Sequence, residues 1–159
     1  MKSIRLFVLV TLAISLTKCS EGRSPTTARN ATGSTRSIDP CSLLPKEEIA
    51  VALGEQVTEA KLQSSPRPNC KYTVGEGSLT VFVFNDPSAK GGFGAGKTLQ
   101  DPHTEAVGGV GDQAYWSPSI KTLNVLKGKI YFTVQFFGIK SGSLETAKVL
   151  AQKAAARLP

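Results

Sequence analysis

Three cysteines carry the most specific chemical signal in the sequence: Cys19, Cys41 and Cys70. Cys41 stands at the start of the first expected helix and Cys70 at the start of the first long expected strand. If the chain is exported, both reach an oxidising compartment, where a pair of cysteines forms a disulfide. We therefore expect a bond between Cys41 and Cys70, the alternative being two buried free thiols.

A second pattern, GGFGAGKT at Gly91–Thr98, matches the phosphate-binding loop G-x-x-x-x-G-K-[ST] in full. That loop works where a strand leads directly into it and a helix follows, because the helix N-terminus and backbone N–H groups hold the phosphates. Here the expected strand ends at Phe84, and Asp101-Pro102 follows the motif. The context favours a flexible Gly-rich loop, and we expect no nucleotide partner.

The segment Gly109–Ala114, GVGDQA, fits the dinucleotide pattern G-x-G-x-x-[GA], which also requires a strand before it and a helix after it. Instead, Tyr115-Trp116-Ser117-Pro118 follows, which is strand-like and then interrupted by proline. We expect a tight turn in which glycines supply positive φ and Asp112 caps its own backbone. No cofactor is expected.

Asp101, His103 and Glu105 alternate, so an extended segment would point all three side chains in one direction, as in a small metal site. Solvated loop polarity explains the same residues. The chain has 1 His, which also removes most Ser or Cys nucleophile schemes, since these need a His base. These three residues are weak metal candidates, and no catalytic residue is assigned.

Trp116, Tyr115 and Phe93 are the candidate ligand or partner contacts, because they lie within or directly after a 27-residue Gly-rich stretch, residues 85–111, without sustained periodicity. Long stretches without regular structure are uncommon unless functional or mobile. The alternative is that these aromatic rings belong to the core or the sheet surface.

The N-terminal segment has the layout of an export signal, with Lys2 and Arg5 before an apolar run at Leu6–Leu16. Two processing sites fit. Leu16-Thr17-Lys18-Cys19 resembles a lipobox, which would attach the protein to a membrane through a lipid on Cys19, although Lys18 replaces the usual small residue. Cleavage after Gly22 is the alternative and would discard Cys19.

We divide the chain into a signal peptide at 1–22, a disordered tether at 23–38 and one globular domain at 39–159. The net charge of +7 comes mostly from the first two segments, since from Asp39 onward 13 Lys and Arg stand against 11 Asp and Glu, or +2. A nearly neutral domain with scattered basic residues lacks the footprint of a nucleic-acid binder.

The hydropathy pattern predicts an α+β fold with an antiparallel sheet of about five strands. Its helices are a short N-terminal one ending at Gly54 and an Ala-rich C-terminal one capped by Ser143, both packed mainly on one face. The hairpin TLNVLKG and KIYFTVQFF forms its floor, with Ile130, Phe132, Val134 and Phe136 toward the core and Tyr131, Thr133 and Gln135 toward water.

Several short motifs are shared with a known group of proteins: DPCSLL running into EEIAVALG, CKY at Cys70–Tyr72, VGDQA at Val110–Ala114 and the Ala-rich last helix. On these the chain resembles a family of small exported bacterial proteins and lipoproteins of uncharacterised function. The resemblance implies a periplasmic, envelope or secreted location and brings no catalytic residues.

We expect a non-enzymatic binding or interaction module whose partner is an envelope protein or small ligand. The alternative is a metal-dependent or hydrolytic periplasmic enzyme, which would have to use Asp101, His103 and Glu105.

Overall fold

The computed structural model describes residues 37–64, 67–99 and 101–159, which belong to one compact unit. The expected signal peptide, the candidate lipidation site Cys19 and nearly all of the expected tether lie outside the described residues. The helices are α1 (Pro40–Leu43), α2 (Lys46–Leu53), α3 (Ala89–Leu99) and α4 (Leu144–Arg157), with a 3-10 turn at Pro118–Ile120. The strands are β1 (Val57–Gln63), β2 (Asn69–Val74), β3 (Gly77–Phe84), β4 (Glu105–Ala106), β5 (Gln113–Ser117), β6 (Thr122–Lys127) and β7 (Ile130–Phe137).

All seven strands form one antiparallel sheet in the order β1-β2-β3-β7-β6-β5-β4. The α+β class and the antiparallel pairing are confirmed, while the expected number of five strands is wrong. The two strands beyond the expected five are β4 and β5. β4 has only two residues, and β5 contains the segment 115–117, which is strand-like in the sequence but is not among the expected five.

α2 and α4 cover one side of the sheet, which we call the α4 face. The apolar stripe of α4, with Ala147, Leu150 and Ala154 fully buried, packs with Phe132 and Val134 of β7. Ser143 caps α4 by accepting from Thr146 N at 3.2 Å, as expected. Gly54 ends α2 in the left-handed conformation, with φ of 69°.

The Gly-rich stretch after β3 is the main departure from the sequence analysis. Instead of a flexible loop, residues Ala89–Leu99 form helix α3, which lies on the opposite side of the sheet, the α3 face. Ala89 and Phe93 are buried there against Tyr115, Leu126 and Tyr131 in a second, smaller core. Burial of this apolar surface stabilises a helix that its glycines disfavour.

This second layer also changes the outer side of the β6–β7 hairpin. The register of the hairpin and the core-facing residues Ile130, Phe132, Val134 and Phe136 are as expected. Tyr131 and Thr133, expected to face water, are instead buried to 5% and 6% exposure on the α3 face. β7 is therefore covered on both sides at Tyr131, while Thr133 and Gln135 lie outside the cover that α3 provides.

The expected disulfide between Cys41 and Cys70 is present, with the two Cα atoms 5.0 Å apart. It ties α1 to β2 beside Tyr72, whose hydroxyl donates to the Leu44 carbonyl at 2.7 Å. Arg157 of α4 donates to the Leu43 carbonyl of α1 at 2.9 Å and to both carboxylate oxygens of Glu48 of α2, at 2.6 and 3.1 Å. The N-terminal helices are thus fixed to both the sheet and α4.

Replacing both Cys41 and Cys70 with Ser should lower the free energy of unfolding by about 3–4 kcal/mol, because the bond closes a loop of 29 residues in the unfolded chain. Chemical denaturation monitored by circular dichroism measures the change. Reduction of the wild type should reproduce it. Equal stability of wild type and variant would contradict a stabilising bond.

Phe93→Ala should lower the free energy of unfolding by about 3 kcal/mol, because it empties the centre of the second core. Leu99→Ala is the matched control on the same helix, since Leu99 is 82% exposed and should have little effect. Equal denaturation midpoints for both variants would mean that α3 does not pack as described.

Candidate functional site

The three weak metal candidates do not converge. Asp101 is 1% exposed, and its carboxylate accepts hydrogen bonds from the backbone N–H of His103 at 2.8 Å and of Ser119 at 3.0 Å. His103 and Glu105 are exposed. In the described ranges 37–64, 67–99 and 101–159, no three His, Cys, Asp or Glu side chains are placed to hold a metal ion. Asp101 instead joins two loops.

The candidate contact residues Phe93, Tyr115 and Trp116 are buried, at 6%, 1% and 6% exposure. Phe93 and Tyr115 pack together in the second core, with ring centroids 5.0 Å apart. Trp116 follows Tyr115 in β5, so it points to the opposite face and lies in the main core. In the structure these three side chains pack in the two cores, and their role as ligand or partner contacts stays a prediction.

The two glycine motifs also form different structures from those their patterns describe. Gly91–Thr98 lies inside α3, so its backbone N–H groups do not form a loop ahead of a helix. In GVGDQA, Gly109 and Gly111 have φ of 80° and 58°, as expected of a tight turn. Asp112 caps a neighbouring turn instead of its own, because its carboxylate accepts from Gly128 N at 2.6 Å.

A candidate ligand surface is the part of the α3 face that α3 leaves uncovered. Strand register places Phe82 of β3, Thr133 of β7 and Asn124 of β6 in one row, and Phe84 beside Tyr131 in the next. We call this region the aromatic groove and define it by these residues: Arg67, Phe82, Phe84, Asn124, Tyr131, Thr133 and Gln135.

Two adjoining cavities make up the aromatic groove. One of about 300 Å³ lies between the sheet and the start of α3, where Ser88, Ala89 and Gly92 form its helical wall. The other, of about 200 Å³, continues over the sheet toward Ile120 and Thr122. Arg67, Phe84 and Tyr131 line both cavities, so the two are continuous.

Aromatic rings form the wall between these cavities. The rings of Phe84 and Tyr131 are stacked, with centroids 4.6 Å apart and planes 13° apart. Phe82 continues the array at 6.5 Å from Phe84. The Arg67 guanidinium carbon lies 4.9 Å from the centroid of Phe84, a cation–π contact. The Arg67 charge also contributes, after hydrogen bonds from Ser88, to holding the pKa of Asp86 below its usual range.

Polar side chains form the floor of the groove. The fully buried Asn124 accepts from the Tyr131 hydroxyl at 2.7 Å, and its amide nitrogen donates to the Thr122 carbonyl at 3.4 Å. An amide nitrogen has two N–H groups, and among the described residues one of those of Asn124 has a hydrogen-bond partner. Among the described residues, the Thr133 hydroxyl and the Gln135 amide make no hydrogen bond to the protein.

The tyrosines of this region stay neutral at ordinary pH. Burial raises the pKa of Tyr131, and the neighbouring Tyr115 raises it further. Burial also raises the pKa of Tyr115. The Tyr131 hydroxyl therefore acts as a hydrogen-bond donor that orients Asn124, and the groove contains aromatic, hydroxyl and amide groups with one cation at its edge.

Sequence reasoning missed this groove because it expected Thr133 and Gln135 to be ordinary solvent-facing residues. The available signal was Phe82 and Phe84, which alternate with core residues of β3 and so place two aromatic rings on the same side as those polar groups. The apolar run at residues 79–84 indicates that β3 is covered on both sides at least in part, but it does not indicate that a helix in the Gly-rich stretch provides the cover.

Within the described residues, no helix combines the length and the apolar character required to cross a membrane.

Comparisons with known proteins identify no family for this chain. No protein-family model matches the chain, and no curated protein matches it. A solved structure with some similarity is that of a GTP binding regulator from Thermotoga maritima, with 12% identity and a TM-score of 0.43. The match covers 74% of this chain and 92% of that one. At this level it supports no conclusion about function.

Asp101→Asn should remove a pH-dependent part of the stability. Hydrogen bonds from the His103 and Ser119 backbone hold the pKa of Asp101 below its ordinary value of 3.8. A lowered folded-state pKa stabilises the protein above the unfolded pKa, and this contribution is lost as pH falls through the folded pKa. The stability difference between wild type and variant should thus be largest at neutral pH and shrink below pH 3.8.

Thermal unfolding of both proteins between neutral pH and the acid limit measures this difference. Glu105→Gln is the control, because Glu105 is exposed and makes no such hydrogen bonds. A stability difference between wild type and Asp101→Asn that is the same at every pH would contradict a charged, hydrogen-bonded Asp101.

Proposed function

We propose that this protein is an exported, non-enzymatic binding module that holds a small neutral saccharide in the aromatic groove. The observation that carries the proposal is a row of partly exposed aromatic rings beside hydroxyl and amide groups that lack protein partners. Unused hydrogen-bonding groups on an otherwise packed surface are typical of a site whose partner is a ligand.

The chemistry of the groove favours a sugar ring over other small molecules. A pyranose has one face of C–H groups, which packs on aromatic rings such as Phe82, and an edge of hydroxyl groups, which pair with Thr133 and Gln135. Of the described residues, none that lines the two cavities carries a carboxylate, which disfavours a cationic ligand. Arg67 already contacts Phe84 and lies near Asp86, so the groove has no dedicated anion site.

The size of the groove limits the ligand to one or two rings. Cavities of about 300 and 200 Å³ lie at the small end of the range for ligand pockets. Both are open to solvent along the sheet, and Phe82 and Phe84 are partly exposed at their rim. Such a site suits recognition of a terminal residue or a short segment of a longer glycan.

Export is the second element of the proposal. It is supported by the signal-like N-terminal sequence, by the resemblance to small exported bacterial proteins, and by the disulfide, which persists in oxidising compartments. A lipid on Cys19 and cleavage after Gly22 are both compatible with this location.

Titration calorimetry with a panel of neutral mono- and disaccharides tests the proposal. Phe82→Ala should weaken binding of the best panel member by about tenfold, because it removes the stacking surface. Thr133→Val keeps the shape of the side chain and removes its hydroxyl, so it should weaken binding by about fivefold.

Phe137→Ala is the matched aromatic control, since Phe137 is 77% exposed and does not line the groove. Its affinity should equal that of the wild type. Absence of binding to every panel member by the folded wild type, or an equal loss of affinity in all three variants, would refute a saccharide site in the groove.

A further inference from the structure

The two edges of the sheet differ in a way that bears on assembly. β4, at one edge, has two residues, whereas β1, at the other, has seven, and all of them except Val57 are exposed. An unpaired strand presents a row of free N–H and C=O groups that can pair with another strand. In the part of the chain that the structure describes, β1 is thus the long open edge of the sheet.

The helices α1 and α2 contact β1, but of its residues only Val57 is buried in the main core. The β1 residues Ala60 and Leu62 pair with Tyr72 and Cys70 of β2 and lie on the same face as these fully buried residues. Yet Ala60 is exposed, and Leu62 is 54% exposed. The apolar surface of the α4 face therefore continues onto the part of β1 beyond Val57, which the described helices leave exposed.

On the other face of β1, two residues of opposite charge, Glu59 and Lys61, flank Ala60 in the sequence. Glu59 and Lys61 both point to the α3 face, where their β2 neighbours are Thr73 and Lys71. Lys61 and Lys71 are directly opposite, a like-charge pair that is unfavourable in a sheet. Neither Glu59 nor Lys61 forms an ion pair within the described residues.

We infer that β1 is a self-association edge, and that two copies of this chain pair their β1 strands antiparallel about a two-fold axis at Ala60. In this register Glu59 of each copy faces Lys61 of the other, which gives two cross-strand ion pairs. Each Lys61 then lies between Lys71 of its own chain and Glu59 of the second copy. Ala60 faces Ala60, and the two sheets join into one of fourteen strands, twice the seven of each copy.

Charge selects this register over its neighbours. The nearest alternative registers that keep each side chain on its own face of the sheet have the two-fold axis one residue along the strand, at Glu59 or at Lys61. An axis at Glu59 places Glu59 against Glu59, and an axis at Lys61 places Lys61 against Lys61. Both put like charges directly opposite, so the arrangement centred on Ala60 is the one of these three with complementary charges.

Lysine and a bulge on an edge strand are also devices that keep a monomer from associating, and β1 has a register shift between Val57 and Glu59. The two explanations differ in what they require of Glu59. If Lys61 serves only to keep the edge strand monomeric, no acidic residue is needed at position 59. Self-association requires both Glu59 and Lys61, because each pairs with the other in the second copy.

A charge-reversal series on the purified full chain tests the inference. Wild type should show a concentration-dependent monomer–dimer equilibrium in sedimentation equilibrium. Glu59→Lys alone and Lys61→Glu alone should each weaken dimerisation by about tenfold or more, because each turns both ion pairs into repulsive pairs. The double exchange, Glu59→Lys with Lys61→Glu, should restore it.

Mixing the two single variants gives the sharpest result. The Glu59→Lys variant then has lysine at both positions, and the Lys61→Glu variant has glutamate at both. The two variants should therefore form a heterodimer, although neither forms a dimer alone. Native mass spectrometry distinguishes this species by mass. Lys140→Glu, an exposed lysine outside β1, is the control for the change in net charge and should dimerise like the wild type.

Circular dichroism verifies that each variant is folded, so a loss of dimer is not a loss of structure. A wild type that stays monomeric up to millimolar concentration would overturn the inference. So would single variants that dimerise as well as wild type, or a mixture that forms no heterodimer.

Discussion

Coverage of both faces of β7 is the constraint on which the structure depends. β7 alternates Phe132 and Val134 with Tyr131 and Thr133, and all four side chains are buried. A strand of this kind is stable only in the interior of a sheet that has a layer on each side. α4 covers one side of β7 and α3 covers the other side at Tyr131, whereas α1 and α2 pack against α4 and against strands β1 to β3.

The two layers are unequal, and this difference creates the candidate site. The α4 face is covered by three helices fixed by the disulfide and the Glu48–Arg157 pair. Within the described ranges, the α3 face has one helix of 11 residues, which reaches Tyr115, Leu126 and Tyr131 but not Phe82 or Gln135. The boundary of that short helix is the wall of the aromatic groove. Because α3 covers only part of this face, aromatic rings and polar groups without protein partners lie together in the aromatic groove.

The parts of the fold that the sequence predicted correctly are those determined locally. Ser143 and Gly54 mark helix ends by their own capping chemistry, and the β6–β7 hairpin follows from its period of two. α3 could not be predicted in this way, because its helical state depends on burial against strands that follow it in the chain. The spacing of Ala89, Phe93 and Gly96, all buried on one side, was the one available signal, and the four glycines obscured it.

The candidate site escaped prediction for the same reason, since one of its walls is that helix. Asp101 shows the opposite error, in which residues alternating in sequence were expected to converge on a metal. Its carboxylate is instead used to hold the backbone at His103 and Ser119. Local spacing indicates which side chains share a face of a strand, but Asp101 precedes β4, so this rule did not apply to it.

The glycines of α3 also determine where the fold is least stable. Gly91 and Gly94 have open space where a Cβ would lie, so neither is required by close packing. Each glycine in a helix interior costs roughly 0.5–1 kcal/mol relative to alanine, so four of them cost about 2–4 kcal/mol. This is comparable to what burying Phe93 contributes.

α3 is helical because it is packed against the sheet, and the elements with the smallest net free energy of folding open first. The wall that α3 gives the aromatic groove is therefore its most easily displaced wall, whereas the floor on β6 and β7 belongs to the most completely buried part of the sheet.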